Sequence, residues 1–303
     1  MYSTTDLLNQ YFDKINEESS TAGKARALRG FNQKQKMICN KKNFWWTRKP
    51  FSITSVANQQ AYDLNPLIMT IESVTFTEGT ISYPLIEVSD LDEWNRINGL
   101  TGTNVSSDVP MYYRITNGQI LIFPRASSAG NTIDIIADSR PRKLTMEDYS
   151  TGTIAVTNGS KSVTGSSTNW LSATNLRAGA YLFIGPEEVP YEIAVVGGNS
   201  SITLVKPFFG TTASGLAYRA GDVPLIHEDY QDVLWQLEAL EYLGIKKGNS
   251  KLYATLRDTI YNEKIGTWTL LMEDTLSETS SNVVQKRRVN FPFNPNEYPQ
   301  DLT

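Results

Sequence analysis

The chain has 303 residues, of which 40% are hydrophobic and 20% charged, enough to bury the cores of roughly two domains at ~150 residues each. A single cysteine, Cys39, excludes an internal disulfide framework and multi-cysteine metal clusters; a single histidine, His227, excludes every two-histidine metal site. The net charge of -4 argues against a general nucleic-acid binder and against a basic membrane-surface protein.

The first six residues are polar, without the basic-then-apolar run of a signal peptide. No apolar stretch approaches the ~20 residues that span a bilayer. Together these predict a protein made and kept in a cytosol, with no membrane partner. Leu7, Leu8, Tyr11, Phe12 and Ile15 recur at helical spacing and predict a first helix capped by Thr4 or Thr5. A Ser19-Ser20-Thr21 break precedes a second helix over about 23–40, with Leu28, Phe31 and Ile38 on one face. From Ser19 to Tyr62 the chain carries nine Lys/Arg and no acid.

Within that run Lys24, Arg26, Arg29, Lys34, Lys36, Lys41 and Lys42 form a candidate basic interface. The plain reading is an exposed helix face followed by a linker. The functional one is contact with a strongly acidic partner or with DNA phosphates, where each cation releases counterions. Trp45-Trp46 could stack bases, although a Trp pair at a helix–strand junction is more often a packing anchor.

From 44 to about 139 the pattern predicts strands at 51–56, 71–76, 111–115, 119–123 and 132–137. Asn117-Gly118 between the third and fourth is the signature of a type I′ hairpin turn. One short helix interrupts them, with Ser89 as its cap and Asp90, Asp92 and Glu93 complementing its positive end.

Residues 150–217 hold 18 Ser/Thr, nine Gly and only six charged residues. Short runs at 153–156, 162–164, 180–184, 192–196 and 202–205, separated by Gly-rich turns, predict a small all-β sandwich or barrel inserted into the chain. Helical spacing resumes after Pro224 with Ile226, Tyr230, Val233, Leu234, Leu237 and Leu240. Ser250 opens a further helix carrying Leu252, Leu256, Ile260, Ile265 and Trp268 and ending near 276.

These elements define an α+β fold: a discontinuous four-helix core drawn from both chain ends, an antiparallel β module and an inserted all-β sandwich. The acids Glu228, Asp229, Asp232, Glu238 and Glu241 are expected to face the basic second helix. The boundaries fall at 1–46, 47–149, 150–221, 222–276 and 277–303. The last segment carries Lys286-Arg287-Arg288, then Phe291, Phe293 and Tyr298 among Pro292, Pro295 and Pro299. Those prolines forbid a helix and favour extended backbone, so the segment is predicted to be an arm that docks on something else.

Catalytic devices are scarce. His227 falls in the first turn of a predicted helix, where the dipole disfavours its cation. There is no Gly-x-Ser-x-Gly elbow, no Gly-x-x-x-x-Gly-Lys loop and no regular Asp-x-Asp calcium loop with its glycine. Glu187-Glu188 and Asp90/Asp92/Glu93 are carboxylate pairs of the kind that 32 acids supply by chance. The reading is a protein that is not an enzyme and holds neither cofactor nor metal.

Three stretches carry a resemblance. One runs from Trp46 through Phe51 into a strand and then Ala61-Tyr62-Asp63-Leu64. Another is Tyr113-Arg114-Ile115-Thr116-Asn117-Gly118-Gln119-Ile120-Leu121-Ile122-Phe123-Pro124, followed by a strand and Arg140-Pro141. The third is Val223-Pro224-Leu225-Ile226-His227-Glu228-Asp229-Tyr230-Gln231-Asp232-Val233-Leu234. With these the chain resembles the head-to-tail adaptor (connector) proteins of tailed double-stranded DNA bacteriophages, of the short-tailed type. The insertion, with Gly159-Ser160-Lys161-Ser162-Val163-Thr164-Gly165-Ser166 and Phe209-Gly210-Thr211-Thr212, is similar to small immunoglobulin-like decorations of virion proteins.

The resemblance implies a ring, of twelve copies, beneath the portal in the virion neck, without catalysis. Its partners would be the portal protein, neighbouring copies, tail nozzle or tail-fibre proteins and, non-specifically, genomic DNA in the channel. On this reading Phe291, Phe293 and Tyr298 anchor the arm while Arg287 and Arg288 meet acidic portal surface. The alternative is a tail-associated protein: a glycan binder using Trp170, Tyr181, Tyr191 and Tyr218 as a sugar platform, or a cell-wall hydrolase using Glu187 and Glu188.

Overall fold

The computed structural model describes residues 1–41, 44–99, 109–145, 147–171, 176–185, 189–244, 250–263 and 265–272. The predicted arm, with Arg287, Arg288, Phe291, Phe293 and Tyr298, lies outside the described residues, as do Lys42, Glu187 and Glu188. No helix among the described residues is long and apolar enough to cross a membrane.

Helices from both ends of the chain share one core. Helix α1 (Thr4–Ile15) contributes Leu7, Leu8, Tyr11, Phe12 and Ile15, and α2 (Thr21–Lys41) contributes Ala27, Phe31 and Ile38. They meet Val233, Leu234, Leu237 and Leu240 of a C-terminal helix, Asp232–Tyr242, and Leu256 and Ile260 of another, Ser250–Tyr261. The predicted continuation to 276 breaks after Tyr261 and resumes over 267–272, where Leu271 rejoins the core.

The cap of α1 corrects the sequence reading. Ser3, not Thr4 or Thr5, closes a capping box: its Oγ accepts the Asp6 N–H at 3.2 Å while Asp6 accepts the Ser3 N–H at 2.9 Å. The threonines are used elsewhere. The Thr4 hydroxyl donates to the Asp222 carbonyl at 2.9 Å, and the Thr5 hydroxyl oxygen accepts the Asp148 N–H at 2.8 Å. Both therefore tie α1 to segments far away in sequence.

The β module follows α2 and a short 3₁₀ turn at Trp45–Thr47. Its strands are β1 (Arg48–Thr54), β2 (Ala61–Asp63), β3 (Ile68–Glu78), β4 (Ile81–Pro84), β5 (Ile86–Glu87), β6 (Tyr112–Thr116), β7 (Gln119–Phe123) and β8 (Thr132–Ser139). They form two four-stranded sheets, ordered β1-β8-β3-β4 and β2-β7-β6-β5. Tyr62, Val74, Phe76, Tyr113, Ile120, Ile122, Ile133 and Ile135 fill the space between the two sheets. Asn117 and Gly118 have φ of 47° and 76°, as the I′ turn between β6 and β7 requires. Helix α3 (Leu91–Gly99) buries only Trp94 and is capped by Asp90, whose Oδ1 accepts the Asp92 N–H at 3.0 Å; Ser89 is not the cap.

The insertion comprises β9 (Thr153–Val156), β10 (Ser162–Ser166), β11 (Tyr181–Ile184), β12 (Val189–Gly198), β13 (Ser201–Leu204), β14 (Ala213–Leu216) and β15 (Tyr218–Gly221). These seven strands make one antiparallel sheet ordered β14-β9-β10-β13-β12-β11-β15. The two edge strands, β14 and β15, are separated in sequence by Ala217 alone, so the sheet must curl until its edges nearly meet. Trp170, fully buried, plugs the interior with Ile154, Val163, Leu182, Ile193 and Ile202 around it.

With the insertion described, the two C-terminal helices are α4 (Asp232–Tyr242) and α5 (Ser250–Tyr261). Lys34 of α2 pairs with Glu241 of α4, and the Glu238 carboxylate lies directly against Gly30, where a Cβ would collide with it. Glu228 and Asp229 do not reach α2: they precede α4 and pair with the N-terminal amine and with His227. Burial pushes the Glu238 carboxyl above its ordinary value, reinforced by Glu241 and only partly offset by Lys34 and Arg26. A raised folded-state value contributes stability below the unfolded value and loses it as pH rises through the folded one. Glu238→Gln should therefore raise Tm by ~1–3 °C near neutral pH, with the gain closing towards about pH 4. Thermal melts of the two proteins across that range check it.

Candidate interaction surface

The helical core and the β module are joined by a short strap, 140–144, leaving β8 for the insertion. Leu144 at its end is buried in the helical core. Two side chains of α2 hold the strap by its backbone. Asn32 accepts the Leu144 N–H at 2.8 Å and donates to the Leu144 carbonyl at 2.9 Å, and Gln35 donates to the Arg142 carbonyl at 3.0 Å. These bonds satisfy strap groups that have no strand partner, and they fix where its three cations point.

Arg142 turns towards the insertion. Its guanidinium donates to the Ala178 carbonyl and lies over Gly179, where φ is 81° and a Cβ would strike the guanidinium, so only glycine suits this turn. Arg140 and Lys143 stay exposed without an ion pair among the described residues. Lys36 of α2 lies beside them in the same state. A groove of about 540 Å³ runs between α2 and the strap, bordered by Lys36, Arg140, Arg142 and Lys143 and by no carboxylate. Met69 adds an apolar contact. It is the unpaired residue of a bulge at the start of β3, between the pairs Ile68↔Ser139 and Thr70↔Asp138, and bulges re-aim side chains.

A neighbouring cavity of about 250 Å³ shares Arg140, Arg142 and Lys143 but also contains Lys49, Glu192 and Asp222. Its carboxylates are already met. Lys49 pairs with Glu192 at 3.5 Å, and Asp222 accepts from the Thr145 N–H at 2.8 Å and from Arg177 at 3.3 Å. It serves the joint between modules, while the larger groove presents uncompensated positive charge.

The cations singled out in the sequence do not act together. Lys24 pairs with Glu147 at 2.7 Å, Arg26 sits 3.9 Å from Glu17 and 4.3 Å over the Tyr242 ring, and Lys34 takes Glu241. Lys41 lies 4.9 Å over the Trp268 ring. Arg26, Lys34 and Lys41 thereby close the helical core, and Lys24 ties α2 to the segment after the strap. Arg29 and Lys36, seven residues apart on one stripe of α2, remain exposed, and only Lys36 borders the groove. The partners of Lys36 come from the strap, more than a hundred residues away in sequence, and Arg142 and Lys143 carried no local signal. Arg140 entered the sequence reading only as part of a motif.

The tryptophans divide as well. Trp46 stacks on Phe44 at 4.4 Å and packs against the helical core, whereas Trp45 stays partly exposed with its ring 5.0 Å from His227. His227 precedes a 3₁₀ turn at Glu228–Tyr230 and lies outside α4, not in a first helical turn as expected. Of the four aromatics expected to form a sugar platform, Trp170 and Tyr218 are interior, joined by a Trp170 Nε1–H to Tyr218 oxygen bond of 2.9 Å, while Tyr181 and Tyr191 are half-buried. Among the described residues no group of three or more His, Cys, Asp or Glu is placed to hold a metal ion.

The family model described as SU10 adaptor protein matches residues 3–158, from α1 through the β module to the first strand of the insertion. That is more than half of the chain, and the chain belongs to this family. It is a structural adaptor protein of a bacteriophage, a component of the virion neck that associates with portal and tail proteins. Among curated proteins, no relative matches the chain.

Proposed function

We propose that the protein is a head-to-tail adaptor that forms a ring of twelve copies under the portal, links it to tail nozzle or fibre proteins, and borders the DNA exit channel. The observation that carries this reading is the family match over 3–158, which spans the N-terminal helices and the β module as one unit. Within the reading, the helices of both chain ends act as a four-helix core that faces the portal. The insertion is an immunoglobulin-like decoration on the outside of the assembly. The boundaries at 46, 149, 221 and 276 separate these roles, and the protein is made in the host cytoplasm before it joins the virion.

The arm, 277–303, is the portal anchor. Phe291, Phe293 and Tyr298 supply the apolar contacts and Arg287 and Arg288 the charge. Ordering such an arm costs ~1–2 kcal/mol per residue of backbone entropy. Each buried aromatic returns ~1.5–3 kcal/mol, so a single arm binds weakly. Simultaneous engagement around a ring multiplies the weak contacts through effective concentration.

The test mixes the purified full-length chain with its phage's portal and records particle mass and negative-stain images, with the chain alone in parallel. A saturated ring on the portal supports the reading, and a folded chain that never binds portal sinks it. Truncation before 277 should leave a folded protein whose portal binding falls by more than tenfold. Unchanged binding of the truncated protein would overturn the arm assignment alone.

A further inference from the structure

The basic groove has a counterpart elsewhere on the chain. From 57 to 99 there are seven acids and one base, Arg96, the reverse of the run that precedes it. Glu87, Asp90, Asp92 and Glu93 cluster at the exposed start of α3, and no cation pairs with them among the described residues. Arg114, the nearest basic strand residue, spends its Nη1 on the carbonyls of Val88 and Ser89 at 3.2 and 2.7 Å. With Arg96 and Arg114 counted, four acids against two bases leave this knob negative. Ile86 and Leu91, 59% and 55% exposed, give it apolar contacts as well.

One molecule cannot bring knob and groove together. Met69, in the groove, is the second residue of β3, while the chain passes from β4 to β5 where the Leu85 N–H meets the Val74 carbonyl at 2.9 Å. Five strand residues separate those points, about 17 Å along β3 at ~3.3 Å per residue. Neither the groove's Lys36, Arg140 and Lys143 nor the knob's acids have an ion-pair partner among the described residues, and they are different surfaces. Contacts of that kind between copies are heterologous, and they close into rings when the rotation allows.

We propose that the groove of α2 and the strap, through Lys36, Arg140 and Lys143, receives the acidic start of α3 from the next copy of this chain. Met69 and Pro141 meet Ile86 and Leu91 across the joint. The inference rests on the ring reading and adds the pair of surfaces that joins one subunit to the next. It also assigns the unpaired charge of the groove to a protein partner. Duplex DNA offers phosphates but nothing for the apolar residues that line both surfaces.

The test uses full-length chains in sedimentation velocity at low and high salt. Wild type should self-associate at low salt and dissociate as salt rises. Lys36→Glu/Arg140→Glu and, separately, Asp92→Lys/Glu93→Lys should each weaken self-association by about tenfold or more, because like charges then face each other. An equimolar mixture of the two variants should associate again, since each reversed surface meets its complement, and that recovery shows both to be folded. Wild-type behaviour of either variant, a wild type that stays monomeric at low salt, or a mixture that stays apart would overturn the inference. So would a mixed-sequence DNA duplex that binds wild type but not Lys36→Glu/Arg140→Glu while self-association is unchanged. Rings of these same variants on the portal would leave the adaptor reading standing and remove only this pair of surfaces.

Discussion

Trp170→Ala should unfold the insertion while the helical core keeps its structure. The indole is fully buried at the centre of the curled sheet, with its edge against the Tyr218 ring at 6.0 Å. Its Nε1–H donates to the Tyr218 oxygen, whose own proton goes to the Thr151 carbonyl at 2.7 Å, so one ring ties the loop after β10 to both ends of the insertion. Truncating a buried tryptophan costs ~3–5 kcal/mol in transfer and cavity terms. A module of about 70 residues holds only a few kcal/mol of stability in total, so the loss is enough to open it. Hydrogen exchange should show protection lost across 150–221 and retained in α1, α2 and α4. Uniform loss through the whole chain would mean that the insertion and the core fold as one unit.

Much of the architecture was legible because it rests on local rules. The alternation of Tyr113, Ile115 and Ile120, Ile122 around Asn117-Gly118 specifies a hairpin whatever surrounds it. Leu7, Leu8, Tyr11, Phe12 and Ile15 have one way to share a helical face. The strands β14 and β15 read poorly because Ala-Ser-Gly-Leu and Tyr-Arg-Ala-Gly alternate weakly; they are strands because closing the sheet supplies their partners. The start of α1 was misplaced because Thr4 and Thr5 bond to distant segments instead, and that of α3 by one residue, Asp90 capping where Ser89 was expected.

The groove was half legible. Lys36 belongs to a visible acid-free run, but a charge run does not reveal which of its members are already paired. Lys24, Arg26 and Lys34 found acids at 147, 17 and 241, and only the fold decides that Lys36 does not. The strap has no sequence signature of its own. Asn32 and Gln35 hold it through bonds between residues more than a hundred positions apart, and polar residues on a helix flank are otherwise read as solvated.

Arg219→Met should weaken the attachment of the insertion to the helical core, with an effect that depends on pH. Arg219 lies in β15 and reaches Asp6 of α1 at 3.0 Å and Asp148 at 2.8 Å, so one guanidinium links the insertion, the first helix and the segment after the strap. Asp148 is nearly out of water, and Gly221 leaves the space its carboxylate occupies, where a Cβ would collide with it. Methionine keeps packing against the Phe183 ring, which the guanidinium covers at 5.1 Å, and removes the charge alone. Breaking a buried pair costs ~3–5 kcal/mol, reduced here to ~2–3 because Arg219 and Asp6 are partly in water. Burial raises the Asp6 carboxyl, but the bonds from Arg219 and from the Ser3 N–H outweigh it and hold its pKa below the ordinary value. Its contribution is therefore present above the unfolded value and lost as pH falls through the folded one. Asp148 runs the other way: burial raises it beyond what the Ser3 hydroxyl and Arg219 recover, so its contribution is lost as pH rises through its folded value. Without Arg219 both carboxyls shift upward, and the variant suffers most where wild type holds both charged. Denaturant melts should show the largest deficit near pH 7 and a deficit that closes below about pH 4, as both groups protonate. A gap of constant size across that range would mean that Arg219 acts through packing and not through its charge.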